Sequence, residues 1–222
     1  MKPTFFITGT DTGVGKTVLT TLLAAYLRER GVKVAALKPL CSGGRTDAEK
    51  IFTALGGLLT LDEINPWHFR AALAPALAAK QEKKTITRAQ VLAHIHAIRG
   101  KFEVTLIEGA GGLLSPLGKD FDSRDLIRAL HTAPIVVAAN KLGVMNHLRL
   151  TLAALSETYQ ARAKIVLMSP AKSDAATATN KQLLAEFFPT EKIFTLPWLG
   201  KKFSLVTALK IPRVRRTLEE LL

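Results

Sequence analysis

Gly9-Thr10-Asp11-Thr12-Gly13-Val14-Gly15-Lys16-Thr17 decides how this chain folds. The apolar run Phe5-Phe6-Ile7 precedes it. Leu19, Leu22, Leu23, Tyr26 and Leu27 follow at helical spacing within Val18 to Arg30, so the stretch is a strand-to-helix turn. Glycines in such a turn let backbone N–H groups close on phosphate oxygens, and the helix N-terminus adds positive potential. Gly13, Val14, Gly15, Lys16, Thr17 and Val18 are therefore expected to hold a nucleotide, with Lys16 on the outer phosphates and the Thr17 hydroxyl on Mg²⁺. Each charge-assisted hydrogen bond of this kind contributes roughly 1.5 to 3 kcal/mol. The general pattern G-x-x-x-x-G-K-S/T puts its first glycine at position 10, where Thr10 stands; Gly9 is one place early. A plain glycine-rich turn would leave the flanking strand, the helix and Gly15-Lys16-Thr17 unexplained together.

At 222 residues the chain fits one α/β unit, and no abrupt change of composition marks a second, so residues 1–222 are read as a single domain. Apolar stretches such as Pro134 to Ala139 fall far short of the ~20 residues of a membrane helix. No signal-peptide pattern precedes the loop, and the single Cys41 excludes an internal disulfide. A soluble, cytoplasmic protein is expected. The net charge of +13 calls for anionic partners. Lys80 to Lys84 and Arg213 to Arg216 carry no interleaved aromatics and match no nucleic-acid motif, so they read as solvated basic faces. The same field attracts nucleotides and carboxylates, and neither nucleic acid nor membrane is expected as a partner.

Gly31 stands where a left-handed C-terminal cap belongs, and Val32 to Leu37 then reads as a buried strand, which completes a βαβ unit. That strand runs into Lys38-Pro39-Leu40-Cys41-Ser42-Gly43-Gly44, at the end of a parallel strand where ligand groups gather. Lys38 is either beside the phosphate loop or an ordinary surface lysine. Cys41 is a loop residue, since no His is arranged with it. Asp47 opens a helical pattern carrying Ile51, Phe52 and Leu55 and either caps that helix or serves the site. Leu61 to Ala79 is broken by Pro66 and Pro75 and has no assignable structure. Thr87 to Arg99 is a helix closed by Gly100, and His94 and His96, two apart, face different ways.

The strand Phe102 to Ile107 ends in Glu108-Gly109-Ala110-Gly111-Gly112. A carboxylate at that tip suits Mg²⁺ or its water shell, and the glycines suit a close approach of backbone to ligand; a simple turn is the alternative. Pro134 to Ala139, Lys164 to Met168 and Lys192 to Leu196 are further strands, with helices through Leu148, Leu152 and Leu155 and around Lys181 to Phe188. Such alternation predicts a mostly parallel sheet covered by helices on both faces. The tail from Ile211 to Leu222 is read as a short helix.

Together these segments resemble one family, dethiobiotin synthetase, from Gly9 to about Leu199. The motifs are Gly9-Thr10-Asp11-Thr12 with Gly15-Lys16-Thr17, Lys38-Pro39 with Ser42-Gly43, Asp47-Ala48, Glu108-Gly109-Ala110-Gly111-Gly112, and Leu142-Gly143 with Asn146-His147. The early glycine is that family's form. The resemblance implies a P-loop NTPase-like fold and a homodimer that uses ATP and Mg²⁺ to join 7,8-diaminononanoate and CO₂ into a cyclic urea. It implies Lys38, Lys16 and Thr12 at the reacting carbamate and phosphoryl group, and Thr17, Asp47 and Glu108 around Mg²⁺. Glu108, Gly109, Ala110 and Gly111 would join the phosphate loop around the nucleotide, with Pro197, Trp198 and Leu199 against its base. Ser42 would bind the diamino acid, as would Leu142, Gly143 and Asn146 from the neighbouring subunit. Two segments depart from the family: Leu167-Met168-Ser169-Pro170 lacks its Asn near the base, and Ala74 to Ala79 lacks a His often found after the proline.

A rival of another class is a dimeric ATPase switch that positions DNA or division proteins on a surface. It would use the same sheet, and the basic charge and amphipathic tail with Arg213, Arg215 and Arg216 would then suit DNA or membrane binding. Such switches carry a second lysine in the loop where this chain has Asp11.

Overall fold

The structure, a computed structural model, describes residues 2–222. The first βαβ unit consists of β1 (Thr4–Gly9), α1 (Lys16–Glu29) and β2 (Val34–Leu37). Six strands form one parallel sheet in the order β2-β5-β1-β6-β7-β8, where β5 is Val104–Glu108, β6 Ala133–Ala139, β7 Lys164–Met168 and β8 Ile193–Leu196. Successive residues of a strand face opposite sides of a sheet, and Phe5 to Gly9 and Pro134 to Ala138 are buried without a break, so both faces are covered. The strand order reverses at β1, which lies between β5 and β6. The crevice beyond the carboxyl end of β1 is therefore the switch point where ligands of such sheets bind.

Short elements carry the rest of the chain. β3 (Leu40–Ser42) and β4 (Trp67–Phe69) form a separate parallel pair, with α2 (Thr46–Leu55) and α3 (Leu61–Ile64) between them. α4 (Pro75–Gln81) and α5 (Arg88–Arg99) lead into β5, and α6 (Ser123–Leu130) leads into β6. α7 (Val144–Ala153) and α8 (Glu157–Arg162) precede β7, α9 (Ala175–Leu184) precedes β8, and α10 (Leu205–Leu209) and α11 (Pro212–Leu221) follow it.

Several expected boundaries move. The strands expected from Val32 and Phe102 begin two residues later, at Val34 and Val104, which are partners in the β2–β5 register. The helix expected around Lys181 to Phe188 is α9, which starts earlier because Asp174 caps it, accepting from the Thr177 N–H at 2.7 Å. The stretch Leu61 to Ala79 holds α3, opened by a Thr60–Glu63 capping box, then β4, then the start of α4 with Pro75 in its first turn. α6 follows an Asp122–Asp125 capping box that the sequence reading left unassigned. Among the described residues, no helix is long and apolar enough to cross a membrane.

Every side chain from Leu19 to Leu27 is buried, so α1 is enclosed on all sides, by the sheet, α2, α10 and α11. α11 turns Val214, Leu218 and Leu221 inward and fully buries them. Two of its three arginines are used within the chain: Arg215 pairs with Glu29 at 3.0 Å and stacks its guanidinium over the Tyr26 ring, and Arg216 pairs with Glu220 at 2.8 Å. The tail is therefore docked on α1, with its apolar face unavailable to a surface. Leu218→Ala is expected to destabilise the protein by about 2 to 5 kcal/mol in urea unfolding. A loss under about 0.5 kcal/mol, the range of surface substitutions, would show that α11 is not part of the core.

Candidate active site

The loop after β1 needs glycine at two positions. Gly13 (φ +73°) and Gly15 (φ +103°) take left-handed backbone, and Gly15 is the N-cap of α1 with no side chain satisfying the helix's first N–H groups, which leaves them for a ligand. The early glycine has a packing reason: a Cβ on Gly9 would come within 2.8 Å of the Val14 side chain. Lys16 is buried and donates to the Asp11 carbonyl at 2.8 Å, so the loop holds its own lysine. Burial, and then the like charge of Lys38, lower the Lys16 pKa to about 8.

β2 and β5 deliver the second half of the site. Lys38 and Glu108 are both buried, and the Lys38 ammonium lies 2.6 Å from Glu108 Oε1 and 3.2 Å from Asp47 Oδ2. Thr17 Oγ1 donates to the same Glu108 oxygen at 2.7 Å. Burial disfavours the Lys38 charge, yet the two carboxylates outweigh it and hold the ammonium above the usual lysine pKa. Asp47 is also desolvated, and Lys38 holds its carboxyl below the usual range. Asp47 does not cap α2, whose N-cap is Arg45. Of the two readings left open for Lys38 and Asp47, the structure brings both into the cavity.

These groups line a cavity of about 530 Å³ together with Thr12, Gly13, Gly15, Val18, Ser42, Ala110 and Gly111. Thr17, Asp47 and Glu108 present hard oxygens to one point, and Glu108 Oε2 is buried without a hydrogen-bond partner. Among the described residues no cluster of three His, Cys, Asp or Glu side chains could hold a metal. Two carboxylates and a hydroxyl suit an ion that keeps waters and accepts phosphate oxygens, which is the behaviour of Mg²⁺.

Of the other expected residues, Ser42, Ala110 and Gly111 line the cavity, and the glycines after Glu108 are also closely packed within the protein. A Cβ on Gly109 would meet Ser123 Oγ at 2.7 Å and Phe6 at 3.1 Å, one on Gly111 would meet Ser115 Oγ at 2.3 Å, and one on Gly112 would meet the Thr10 carbonyl at 3.2 Å. Ser42 spends its hydroxyl on the Leu73 carbonyl at 2.6 Å. Leu142, Gly143 and Asn146 do not line this cavity, and Leu142 is 84% exposed at the start of α7. Trp198, half exposed, lines a second cavity of about 1300 Å³ that shares Thr17, Val18 and Lys50 with the first; Pro197 and Leu199 line neither.

Some contributors escaped the sequence reading. Ala72, Leu73, Ala74 and Pro75, from the stretch without assignable structure, form a cavity wall. Buried Asn65 donates to the Lys38 carbonyl at 2.7 Å, and the Lys38 N–H donates to the Ile64 carbonyl at 3.0 Å, so α3 and its C-cap fix the lysine's backbone. Ser115 also lines the cavity and accepts from the Gly112 N–H at 2.9 Å. Nothing in local spacing marks Asn65 or Ser115, because both act through tertiary contacts.

A family model described as an AAA domain matches residues 3–202. The ATP-dependent dethiobiotin synthetase BioD of Bacillus subtilis (strain 168) is 37% identical over 202 residues, covering 88% of this chain and 85% of that protein. The protein of the same name from Anaeromyxobacter dehalogenans (strain 2CP-C) is 37% identical over 198 residues, covering 87% and 89%. Among solved structures, pNOB8 ParA bound to nonspecific DNA superposes with a TM-score of 0.62 at 13% identity, over 100% of this chain and 97% of that one. A ParA family ATPase from Chlorobium tepidum TLS gives 0.59 at 15% identity, over 98% and 96%. At such identities these two establish the P-loop α/β fold alone. The chain belongs to the ATP-dependent dethiobiotin synthetase family.

Cys41 is buried in the cavity wall, and burial pushes its thiol up to about 11. The thiolate is the reactive form, so at pH 8 alkylation by iodoacetamide is expected to run about a hundredfold or more slower than for the unfolded chain. A rate matching the unfolded chain would place Cys41 in the open.

Proposed function

We propose that, as a member of this family, the protein serves biotin biosynthesis by closing a urea ring on 7,8-diaminononanoate at the expense of ATP. One substrate amine takes up CO₂ and loses a proton to become a carbamate. A carbamate oxygen then attacks the γ-phosphorus and ADP leaves, giving a carbamoyl phosphate. The second amine attacks the carbamoyl carbon, phosphate departs, and dethiobiotin is formed. The observation that carries this reading is the pair of buried lysines, Lys16 and Lys38, in one cavity with the phosphate loop.

The difficult step joins two anions, so it needs positive charge placed in advance more than it needs a protein nucleophile. Lys16 draws charge from the outer phosphate oxygens, while Lys38 faces the carbamate oxygen and keeps it in line with phosphorus, with Thr12 at the same point. Gly13, Val14, Gly15, Thr17, Val18, Glu108, Gly109, Ala110 and Gly111 surround the phosphates. Thr17, Asp47 and Glu108 would hold Mg²⁺, which when bound would offset the negative charge of the phosphates. Ser42 faces the diamino acid. Pro197, Trp198 and Leu199 lie toward the base, a placement supported by the cavity that Trp198 and the start of α1 share.

The substrate's carboxylate end is bound in a homodimer, by Leu142, Gly143 and Asn146 of a second copy. This part of the reading is supported by the exposure of Leu142 and by the absence of all three residues from this chain's own cavity. The ATPase-switch reading lacks its second loop lysine. Asp11 stands at the place of the second lysine, and its carboxylate accepts from the Thr12 N–H at 2.6 Å.

Protein supplied with Mg²⁺, ATP, the diamino acid and ¹⁴C-bicarbonate is expected to build label into an acid-stable cyclic urea. Absence of label, with ATP hydrolysis stimulated by DNA instead, would overturn the ligase reading. Lys38→Ala should keep nucleotide affinity within about threefold and lose turnover by about a hundredfold or more, the pattern of a group acting in the transition state. Lost nucleotide binding with normal saturated turnover would remove Lys38 from that role.

A further inference from the structure

The Lys38 ammonium occupies the point on which the oxygens of Asp47 and Glu108 converge, 3.2 Å from one and 2.6 Å from the other. Its third acceptor, the Gly109 carbonyl, lies at 3.4 Å. These are the two carboxylates assigned above to a divalent cation, whose ligand oxygens stand at about 2.0 to 2.1 Å for Mg²⁺. A cation held at that distance by these carboxylates would stand close to the Lys38 nitrogen, and the two positive charges would repel one another. While it stays there, the ammonium's charge is engaged by Asp47 and Glu108. Its partners are also held: Glu108 Oε1 takes the Thr17 hydroxyl in addition to Lys38, and the lysine's backbone is pinned by Asn65 and Ile64. Only the side chain is free to leave.

We infer that Lys38 is an exchangeable internal counter-ion, which fills the divalent-cation position between Asp47 and Glu108 until metal and nucleotide arrive together and then turns its ammonium to the reacting side. This rests on the reading of Asp47 and Glu108 as metal ligands. Two properties follow. Free divalent cation binds weakly, since it must expel a buried ammonium without compensation. With nucleotide, phosphate oxygens supply further ligands for the metal and a new anionic partner for the lysine, so loading and the release of Lys38 become one event. An empty site would then keep its carboxylates paired and its second lysine withheld from chemistry.

The test uses Mn²⁺ as probe, followed by electron paramagnetic resonance on the full chain without nucleotide. Lys38→Met is expected to bind Mn²⁺ at least about tenfold more tightly than wild type, because the competing charge is gone. The gain should vanish when Asp47→Asn is added. Equal affinity in wild type and Lys38→Met, or a gain that survives Asp47→Asn, would overturn the inference.

Should Lys38→Met fail to fold, Lys38→Gln keeps a donor for Glu108 without the charge and is read the same way. In the wild type, acetic anhydride labelling mapped by mass spectrometry supplies an independent measurement. Lys38 is expected to stay unreactive with Mg²⁺ alone and to label with Mg²⁺ and ADP; labelling unchanged by ADP would contradict the exchange. Neither measurement depends on ring closure. A positive Mn²⁺ result with no ¹⁴C incorporation would sink the ligase reading and leave the exchange standing, and the opposite pair of results would do the reverse.

Discussion

The ion pair between Lys38 and Glu108 is the constraint on which the site depends. Both groups are buried, and removing either partner from such a pair strands an uncompensated charge, a loss of about 3 to 5 kcal/mol. The pair joins the ends of β2 and β5, neighbours in the sheet. Through the Thr17 hydroxyl it also reaches the first turn of α1, and through Asp47 the first turn of α2. Four elements are thereby tied at one point. A pair of this kind contributes little net stability once its desolvation is counted, and what it does here is keep buried charges matched where those four elements meet.

Much of this was legible in the sequence, and the reason is local. The phosphate loop is contiguous, its glycines answer to backbone angle, and an apolar run followed by helical spacing is the signature of βαβ folding at any place in the chain. Strand-end residues such as Lys38 and Glu108 could be singled out because parallel sheets collect function at one edge. Asn65, Ser115 and the wall formed by 72–75 were hidden for the opposite reason. Their roles come from contacts made across the fold, and the two strands of the β3–β4 pair are separated in sequence by two helices and Pro66. The glycines after Glu108 were visible as glycines, but their packing was not: they also make room for Ser123, Ser115 and the Thr10 carbonyl.

The positive balance of the chain also takes on a location. Arg28, Lys50, Lys201, Lys202, Lys210 and Arg215 line the larger cavity, with Glu29 as its one carboxylate. Lys50 belongs to both cavities and so stands at their junction. A cationic rim around the approach to a phosphate loop raises the local concentration of anionic ligands, an effect that weakens as salt is added. The tail contributes Arg215 to that rim, although the same side chain pairs with Glu29 and lies over the Tyr26 ring, while Arg216 pairs with Glu220.

The docking of α10 and α11 on α1 bears on how the protein is made. Until residues 205–221 have left the ribosome, one side of α1 has no cover, and Tyr26 lacks the Arg215 that stacks on it. Chains fold as they are made, so α1, synthesised well before α10 and α11, is enclosed only once they follow. Maturation of the loop would then be timed by α11, and a nascent protein stalled short of it would display the apolar side of α1 to chaperones.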